Sequence, residues 1–411
     1  MRRFHVTLKK NYKHMKEHFS KLLTIALLLV SWACSENKEQ VSEAAKTYEW
    51  VIADSLDLDF LGNPMLTDVS PDGSKLVFFD QPSSKILITD SEGNLNHSFS
   101  KVEDTPDAYG FMLERPGFFR GEQVAVFGMN GLFIYDLEGE MQQKIPHPES
   151  LGGAGSMTFI GKSVETATLD GKEYLIPISV RPRNSFPGEQ EFYDTYRAIE
   201  LVDPDAETMT ELIPFEEGSH FLNGKGYIQS DYAPAYEAKD GKLYIVHGGD
   251  PKLYVYQLRP ELAALDTVIQ LDIPGFILPE GKDRAEFQEG HIEIRGGTAA
   301  FRNIHILDDL ILLNYYAGIE PAKSQEAEAL WTSGNEEEAR AMYQKIESEV
   351  PKGTLIYQLS DLSYLGHVTQ PDLTGGRTYA SGGGFAWFQK TPDPDVEEDF
   401  LRVYKMKLVE R

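Results

Sequence analysis

The 411-residue chain contains one cysteine, Cys34. It therefore has no internal disulfide and no cysteine pair for zinc, an iron–sulfur cluster or thiol redox chemistry. Several catalytic signatures are missing too. There is no H-E-x-x-H, so no zincin helix, and no G-x-S-x-G, so no nucleophile elbow. Five residues, not the four of a P-loop, separate Gly218 from Gly224 ahead of Lys225. Basic residues are few, 39 Lys and Arg against 65 Asp and Glu. Long apolar runs reduce to one, Leu22–Val30, too short for a permanent membrane-spanning helix.

That run belongs to an export signal over residues 1–33. Lys and Arg dominate up to Lys21, and the small Ala33 precedes Cys34. Met15 opens a better-proportioned signal than Met1, so both starts stay open. Ser31-Trp32-Ala33-Cys34 resembles the bacterial lipoprotein signal, in which the cysteine is acylated and becomes the new amino terminus. The resemblance implies palmitate on Cys34 and a membrane partner reached through that lipid. An ordinary secretory signal with a chance cysteine is the alternative. A lone cysteine in an exported chain has no disulfide partner and needs another explanation. Ser35, rather than Asp, follows the cysteine, with Glu36 and Glu39 close behind. In the lipoprotein pattern this implies the outer membrane, with its periplasmic or cell-surface face left open. Residues 34–46 are mostly polar and lack a strand pattern, which predicts a flexible tether.

Residues 1–33 hold seven Lys/Arg and one Asp/Glu, so the mature chain carries 32 basic and 64 acidic residues, a formal charge of −32. Such a surface repels phosphate backbones, which excludes nucleic acid as a partner. It suits a neutral or cationic ligand, a divalent ion or a basic protein; plain solubility is the simpler reading.

Beyond the tether, short apolar runs alternate with Gly and Asp turns. Phe118–Met141 shows the unit: three apolar runs of four to six residues, each closed by a glycine turn. The Val, Phe, Ile and Tyr content predicts half-buried strands, and the tight turns allow only antiparallel neighbours. Turns with the same role stand at Pro71-Asp-Gly73, Arg120-Gly-Glu122, Leu169-Asp-Gly171, Lys239-Asp-Gly241, Leu307-Asp-Asp309 and Ser381-Gly-Gly-Gly384. Each is followed by an apolar strand and then a third one. The sixth unit ends at Arg411 without a fourth strand, and Thr47–Leu58 has a strand pattern without a partner. The expectation is an all-β, six-bladed β-propeller over residues 47–411, closed by its N-terminal strand. Seven blades is the alternative, should 215–235 or 273–303 hide a weak one.

Ser70-Pro-Asp-Gly-Ser-Lys-Leu-Val-Phe78 resembles the repeat of TolB-type propellers, where this phrase makes the first turn and second strand. More broadly the chain is similar to the uncharacterised bacterial six-bladed β-propeller lipoproteins, a likeness that implies no activity. Residues 324–350 are the helical insert. Ala339, Met342, Tyr343 and Ile346 form an apolar stripe, and Ser333 with Glu336 has capping-box spacing. A small helical hairpin packed on the propeller rim is expected.

In a propeller the loops joining second to third strands share one face with the connections between blades. Here that face carries nearly all the extra sequence, which is how a rigid scaffold presents a binding surface. Three clusters on it are candidates. Arg181, Arg183 and Asn184 lie beside Phe186 and Tyr193, a mix that suits carboxylates or sugars; the plain alternative is a solvated loop pairing with acidic neighbours. Asp393, Asp395, Glu397 and Asp399 alternate as Ca²⁺ ligands can, although the EF-hand glycine and full loop are absent. His247, Asp250, Tyr315, Tyr316, Arg295 and Arg302 sit near strand ends, where His and Asp can do acid–base work or serve structure alone.

The expected function is a monomeric, outer-membrane, lipid-anchored propeller that acts as a binding or scaffold module for a protein or an oligosaccharide. No residue is assigned as catalytic, and no cofactor is implied except Ca²⁺. An extracytoplasmic carbohydrate-active hydrolase or lyase is the alternative. It requires two carboxylates, or a carboxylate and a His, to converge in one pocket.

Overall fold

The computed structural model describes residues 46–151, 161–291, 293, 297–374, 379–392 and 398–411. The signal, Cys34 and nearly all of the tether lie outside the described residues, as do Asp393, Asp395, Glu397 and Arg295.

Strands dominate. The chain starts with β1 (Lys46–Leu58). A first sheet follows: β2 (Pro64–Val69), β3 (Lys75–Asp80), β4 (Lys85–Asp90) and β5 (Leu95–Phe99). The second is β6 (Met112–Phe119), β7 (Gln123–Gly128), β8 (Gly131–Asp136) and β9 (Met141–Ile145). The third is β10 (Glu165–Leu169), β11 (Lys172–Ile176), β12 (Ile199–Asp203) and β13 (Thr208–Leu212), with the short helix α1 (Gln190–Thr195) between its second and third strands. After α2 (Gln229–Tyr232) comes the fourth: β14 (Pro234–Lys239), β15 (Lys242–His247), β16 (Lys252–Arg259) and β17 (Leu262–Gln270). The last sheet has eight strands. It takes β18 (Ala300–Leu307) and β19 (Leu310–Tyr316), then, after α3 (Pro321–Thr332) and α4 (Glu336–Glu349), β20 (Lys352–Gln358) and β21 (Tyr364–Val368). Its other half is β22 (Ala380–Gly382), β23 (Phe385–Gln389), β24 (Leu401–Glu410) and β1.

The predicted turns take the backbone that places Gly and Asp there. Asp170-Gly171 and Asp240-Gly241 have φ of 51° and 79°, and of 50° and 73°, the paired positive values of a tight hairpin. Arg120 pays the same steric cost at 49°, ahead of Gly121 at 73°. The central strands of the sheets are the most buried: β3, β7 and β8 each bury five of six residues, because sheets cover both of their faces. Outer strands such as β5 and β9 bury only their last residue.

Each sheet shares an apolar core with the next. Val77 and Phe79 meet Val124 and Phe133; Phe127 and Ile134 join Leu175, which joins Leu243 and Ile245. Val246 and Val255 meet Ile311 and Leu355; Leu312 and Ile356 meet Phe388 and Met406. Finally Trp387 and Val403 pack on Leu76 and Phe78 of the first sheet. The cores therefore run in a closed circle, a propeller-like ring with no open end.

The ring is closed by the chain's two ends. Strand β1 runs antiparallel to β24 from the pair Tyr48–Glu410 to the pair Leu58–Leu401. Arg402 adds a bidentate pair with Asp57, both contacts 2.7 Å, and Arg411 bonds Glu49. Strand β1 also touches β21 in parallel at only two positions, Lys46–Gly366 and Thr47–His367, which is what merges two groups of four strands into one sheet. Neither 215–235 nor 273–303 forms a further sheet among the described residues; they hold short 3₁₀ turns, α2 and one bridge, Gly226 to Lys282.

The helical hairpin lies where expected, with Ala339 and Ile346 buried and Met342 and Tyr343 half-buried. Its capping differs from the expected box. Asn335 is the N-cap of α4 and makes no side-chain cap, while Ser333 ends α3 and donates its hydroxyl to the Leu330 carbonyl. Three residues separate the helices, and Ser333, the first of them, is the C-cap of α3. The insert is held by Tyr316, whose hydroxyl donates to Glu347 Oε2 at 2.6 Å, and by Ala317 and Val350 beneath it.

Candidate functional site

The innermost strands of the sheets surround a central cavity of about 680 Å³. It opens at the end where β2, β14, β18 and β22 finish in their first hairpin turns, so Pro71, Asp240, Asp308 and Gly383 stand at its walls. This is the end opposite the long connections.

Deep in the cavity sits Lys162. Its ammonium donates to Glu165 Oε2 at 2.8 Å, to Glu237 Oε2 at 2.6 Å and to the Ile304 carbonyl at 3.3 Å. One side chain thus ties the approach to β10 to β14 and β18. The two carboxylate oxygens can be no farther apart than the sum of the first two distances. Burial disfavours the ammonium, but the two carboxylates outweigh it and raise its pKa. Glu237 is pushed up, by burial first and then by Glu165. Asp68, on β2, accepts from the Phe118 and Val69 amides at 2.7 and 2.8 Å. It lines the cavity, part-buried, and desolvation lifts it to about 7. Behind this wall Glu114 is buried, accepting from the Tyr236 hydroxyl at 2.8 Å and the Ile178 amide at 2.9 Å, and burial lifts it to about 8. His305 is buried in the cavity wall, stacked on Tyr379 with ring centres 4.5 Å apart. Its Nδ1 lies 3.1 Å from Ser381 Oγ, and its Nε2 has no hydrogen-bond partner. Burial, then Lys162, holds it well below the usual imidazole range, so it is neutral.

Sequence reasoning did not single out Lys162, Glu165, Glu237, Asp68 or His305. One signal was available: Glu237 and His305 each stand three residues before the Asp of a first hairpin turn, polar interruptions in otherwise apolar inner strands.

The loop-rich face holds two further depressions. A groove of about 1030 Å³ runs between the connection Ile277–Lys282 and the helical hairpin, with Gln325, Glu328, Tyr343 and Gln344 on the helix side. A smaller hollow of about 220 Å³ lies beside Phe192, Tyr232 and Phe287.

The predicted residues are dispersed. Arg181 bonds Glu200 at 2.7 Å and the Met209 carbonyl at 2.8 Å; Arg183 bonds Glu211 at 2.7 Å and the Thr195 carbonyl at 2.6 Å. Both guanidiniums are thus held within the third sheet, as in the solvated-loop alternative but with more burial. Asn184 is exposed. Tyr193 is buried, donating to the Pro187 carbonyl at 3.0 Å, with Arg284 over its ring. His247 is fully buried against Phe215, Tyr196 and Tyr254, and neither ring nitrogen has a partner. Burial lowers it to about 4. Asp250 accepts from Ser219, the His220 amide and Tyr254, each at 3.1 Å. Tyr315 is half-buried; Tyr316 holds the helical insert with Arg302 over its ring. Asp399 is exposed, and among the described residues no three His, Cys, Asp or Glu side chains gather as metal ligands.

No family model and no curated protein matches this chain. Solved structures do. One is a protein of Bacteroides fragilis NCTC 9343 described as exported, 9% identical, covering 89% of this chain and 95% of that one, with a TM-score of 0.50. Others are a calcium-binding regucalcin of Agrobacterium tumefaciens (10% identity, 87% and 95% coverage, TM-score 0.42) and a gluconolactonase of Xanthomonas campestris (9%, 87% and 98%, 0.40). At such identities the likeness is one of fold alone.

Proposed function

We propose that the protein is a lipid-anchored binding propeller at the outer membrane, which takes a segment of a protein partner on its loop-rich face. We read the ring as six-bladed, the eight-stranded sheet being two blades joined by the two-residue parallel seam. The observation that carries the binding role is the groove between the helical insert and the connection Ile277–Lys282. Its volume, about 1030 Å³, is at the upper end of small-molecule pockets, roughly 300–1,000 Å³. Both walls mix apolar and polar groups, with Ile277, a half-exposed Leu278 and Glu280 facing Tyr343, Gln325 and Gln344, which suits a peptide backbone and alternate side chains.

A photo-crosslinking residue at Gln344 should trap a discrete protein, and the same residue at Lys239, on the hairpin face, should not. Equal adducts from both positions, or none, would remove the reading; a melting shift with oligosaccharides alone would move the ligand class to sugars. Acylation is tested by labelled palmitate, which Cys34→Ala should fail to incorporate. A Ca²⁺ ion on the 393–399 loop belongs to the same proposal, and EDTA should then lower the melting midpoint.

The hydrolase reading is favoured by one observation, the convergence of Glu165 and Glu237 on a single ammonium. Lys162 neutralises that pair, which weighs against a free acid and base. Turnover of aryl glycosides that vanishes in Glu165→Gln and Glu237→Gln would establish it.

A further inference from the structure

We propose that the hollow beside Phe192, Tyr232 and Phe287 receives a tryptophan or tyrosine side chain of the partner segment, as an anchor next to the groove. This rests on the loop-face reading above and names the chemistry of its partner. Ile228, Lys282, Phe287 and Glu293 line both the hollow and the groove, so the two form one depression. A segment lying along the groove therefore borders the hollow. At about 220 Å³ the hollow is below the range of small-molecule sites, roughly 300–1,000 Å³, and suits one large side chain. Buried aromatic anchors of that kind carry much of the energy of a protein contact.

The lining favours an aromatic occupant. Pro187, Ile228 and the half-buried rings of Phe192, Tyr232 and Phe287 give the hollow apolar walls. Those rings are fixed in place. Phe192 lies 5.2 Å from the buried Tyr193 and 6.0 Å from Tyr232, centre to centre, and Tyr232 packs edge-on to Tyr196 at 5.6 Å. Phe287 rests on Gly226, where a Cβ would stand 2.3 Å from its ring. Gly226 in turn is tied to Lys282 by a pair of backbone hydrogen bonds, each 2.9 Å. A site formed in advance loses little conformational freedom on binding. Tyr232 separates an amphipathic anchor from an aliphatic one. Its hydroxyl makes no hydrogen bond among the described residues and keeps some accessible surface. The indole N–H of Trp or the phenol O–H of Tyr can meet it, while ring faces and edges prefer an aromatic body to leucine.

The test is saturation-transfer NMR of the full chain in detergent, against a detergent blank. The probes are N-acetyl-tryptophanamide, N-acetyl-tyrosinamide, N-acetyl-leucinamide and methyl β-D-glucopyranoside. Saturable binding of at least one aromatic amide is expected, with the leucine amide about fivefold weaker. Phe287→Ala should weaken the aromatic amides about fivefold. Should that variant fail to fold, Tyr232→Phe, which keeps the ring, should weaken them about threefold. No saturable binding of either aromatic amide would overturn the proposal, as would equal or tighter binding of the leucine amide or the glucoside. So would unchanged binding in a folded Phe287→Ala, or in Tyr232→Phe where the former does not fold. A wild-type Gln344 adduct without amide binding removes the anchor and leaves the loop-face reading standing. Amide binding that depends on Phe287, with no Gln344 adduct, removes the loop-face reading and leaves the aromatic site.

Discussion

Single residues carry the clearest pH signatures. Asp68 and Glu114 are lifted to about 7 and about 8, from ordinary carboxyl values near 4. The native state thus binds more protons than the unfolded one over that interval. Their stabilising contribution is complete below pH ~4 and is lost as pH rises through 7 to 8. Urea unfolding at pH 5 and pH 8.5 should show the wild type weaker at the higher value, and Glu114→Gln should flatten the difference. His247 has the opposite sign: lowered to about 4, it contributes fully above pH ~6.5 and loses that contribution as pH falls through 4. His247→Phe should therefore hold its melting midpoint better than the wild type at pH 4. Lys162→Met leaves two carboxylates face to face and should cost about 3 kcal/mol in urea unfolding at pH 8. None of these environments was readable along the chain. His247 and Asp250 were visible as polar residues at a strand end, but their surroundings come from aromatics spread over residues 196 to 254.

Elements were far more legible. The turns at Asp170-Gly171 and Asp240-Gly241 carry their own conformational requirement, and the strands around them follow from alternation. The helical insert was legible from its stripe, yet its cap was misjudged by two residues, because Ser333 serves the end of one helix and not the start of the next. The insert depends on one bond in particular. Tyr316→Phe removes the hydrogen bond to Glu347 and should loosen α4 by about 1 kcal/mol. Hydrogen exchange should then quicken in 321–349 while β18 and β19 stay protected. Equal quickening throughout the fifth group of strands would mean that the insert and its sheet unfold together.

At the scale of the whole molecule, the ring depends on β1. A chain beginning at residue 60 loses every pair between β1 and β24, including the Asp57–Arg402 contact, and exposes both neighbouring edges. It should elute as aggregates on size exclusion and lose its cooperative thermal transition, whereas removal of residues 1–33 should leave both unchanged. That closure was foreseen from two unmatched ends, because a count of strands and turns is a local property that survives in the linear order of residues. The same holds for the excess of acidic residues. The central cavity is different. Lys162, Glu165, Glu237 and His305 are separated by up to 143 positions and come from three different sheets. Their chemistry arises only where inner strands converge on one axis: burial there moves Glu237 up and His305 down, and the paired carboxylates keep Lys162 charged. Local pattern dictated the strands, the turns and the order of the sheets; packing around the ring decided which charged side chains meet, and at which end the cavity opens.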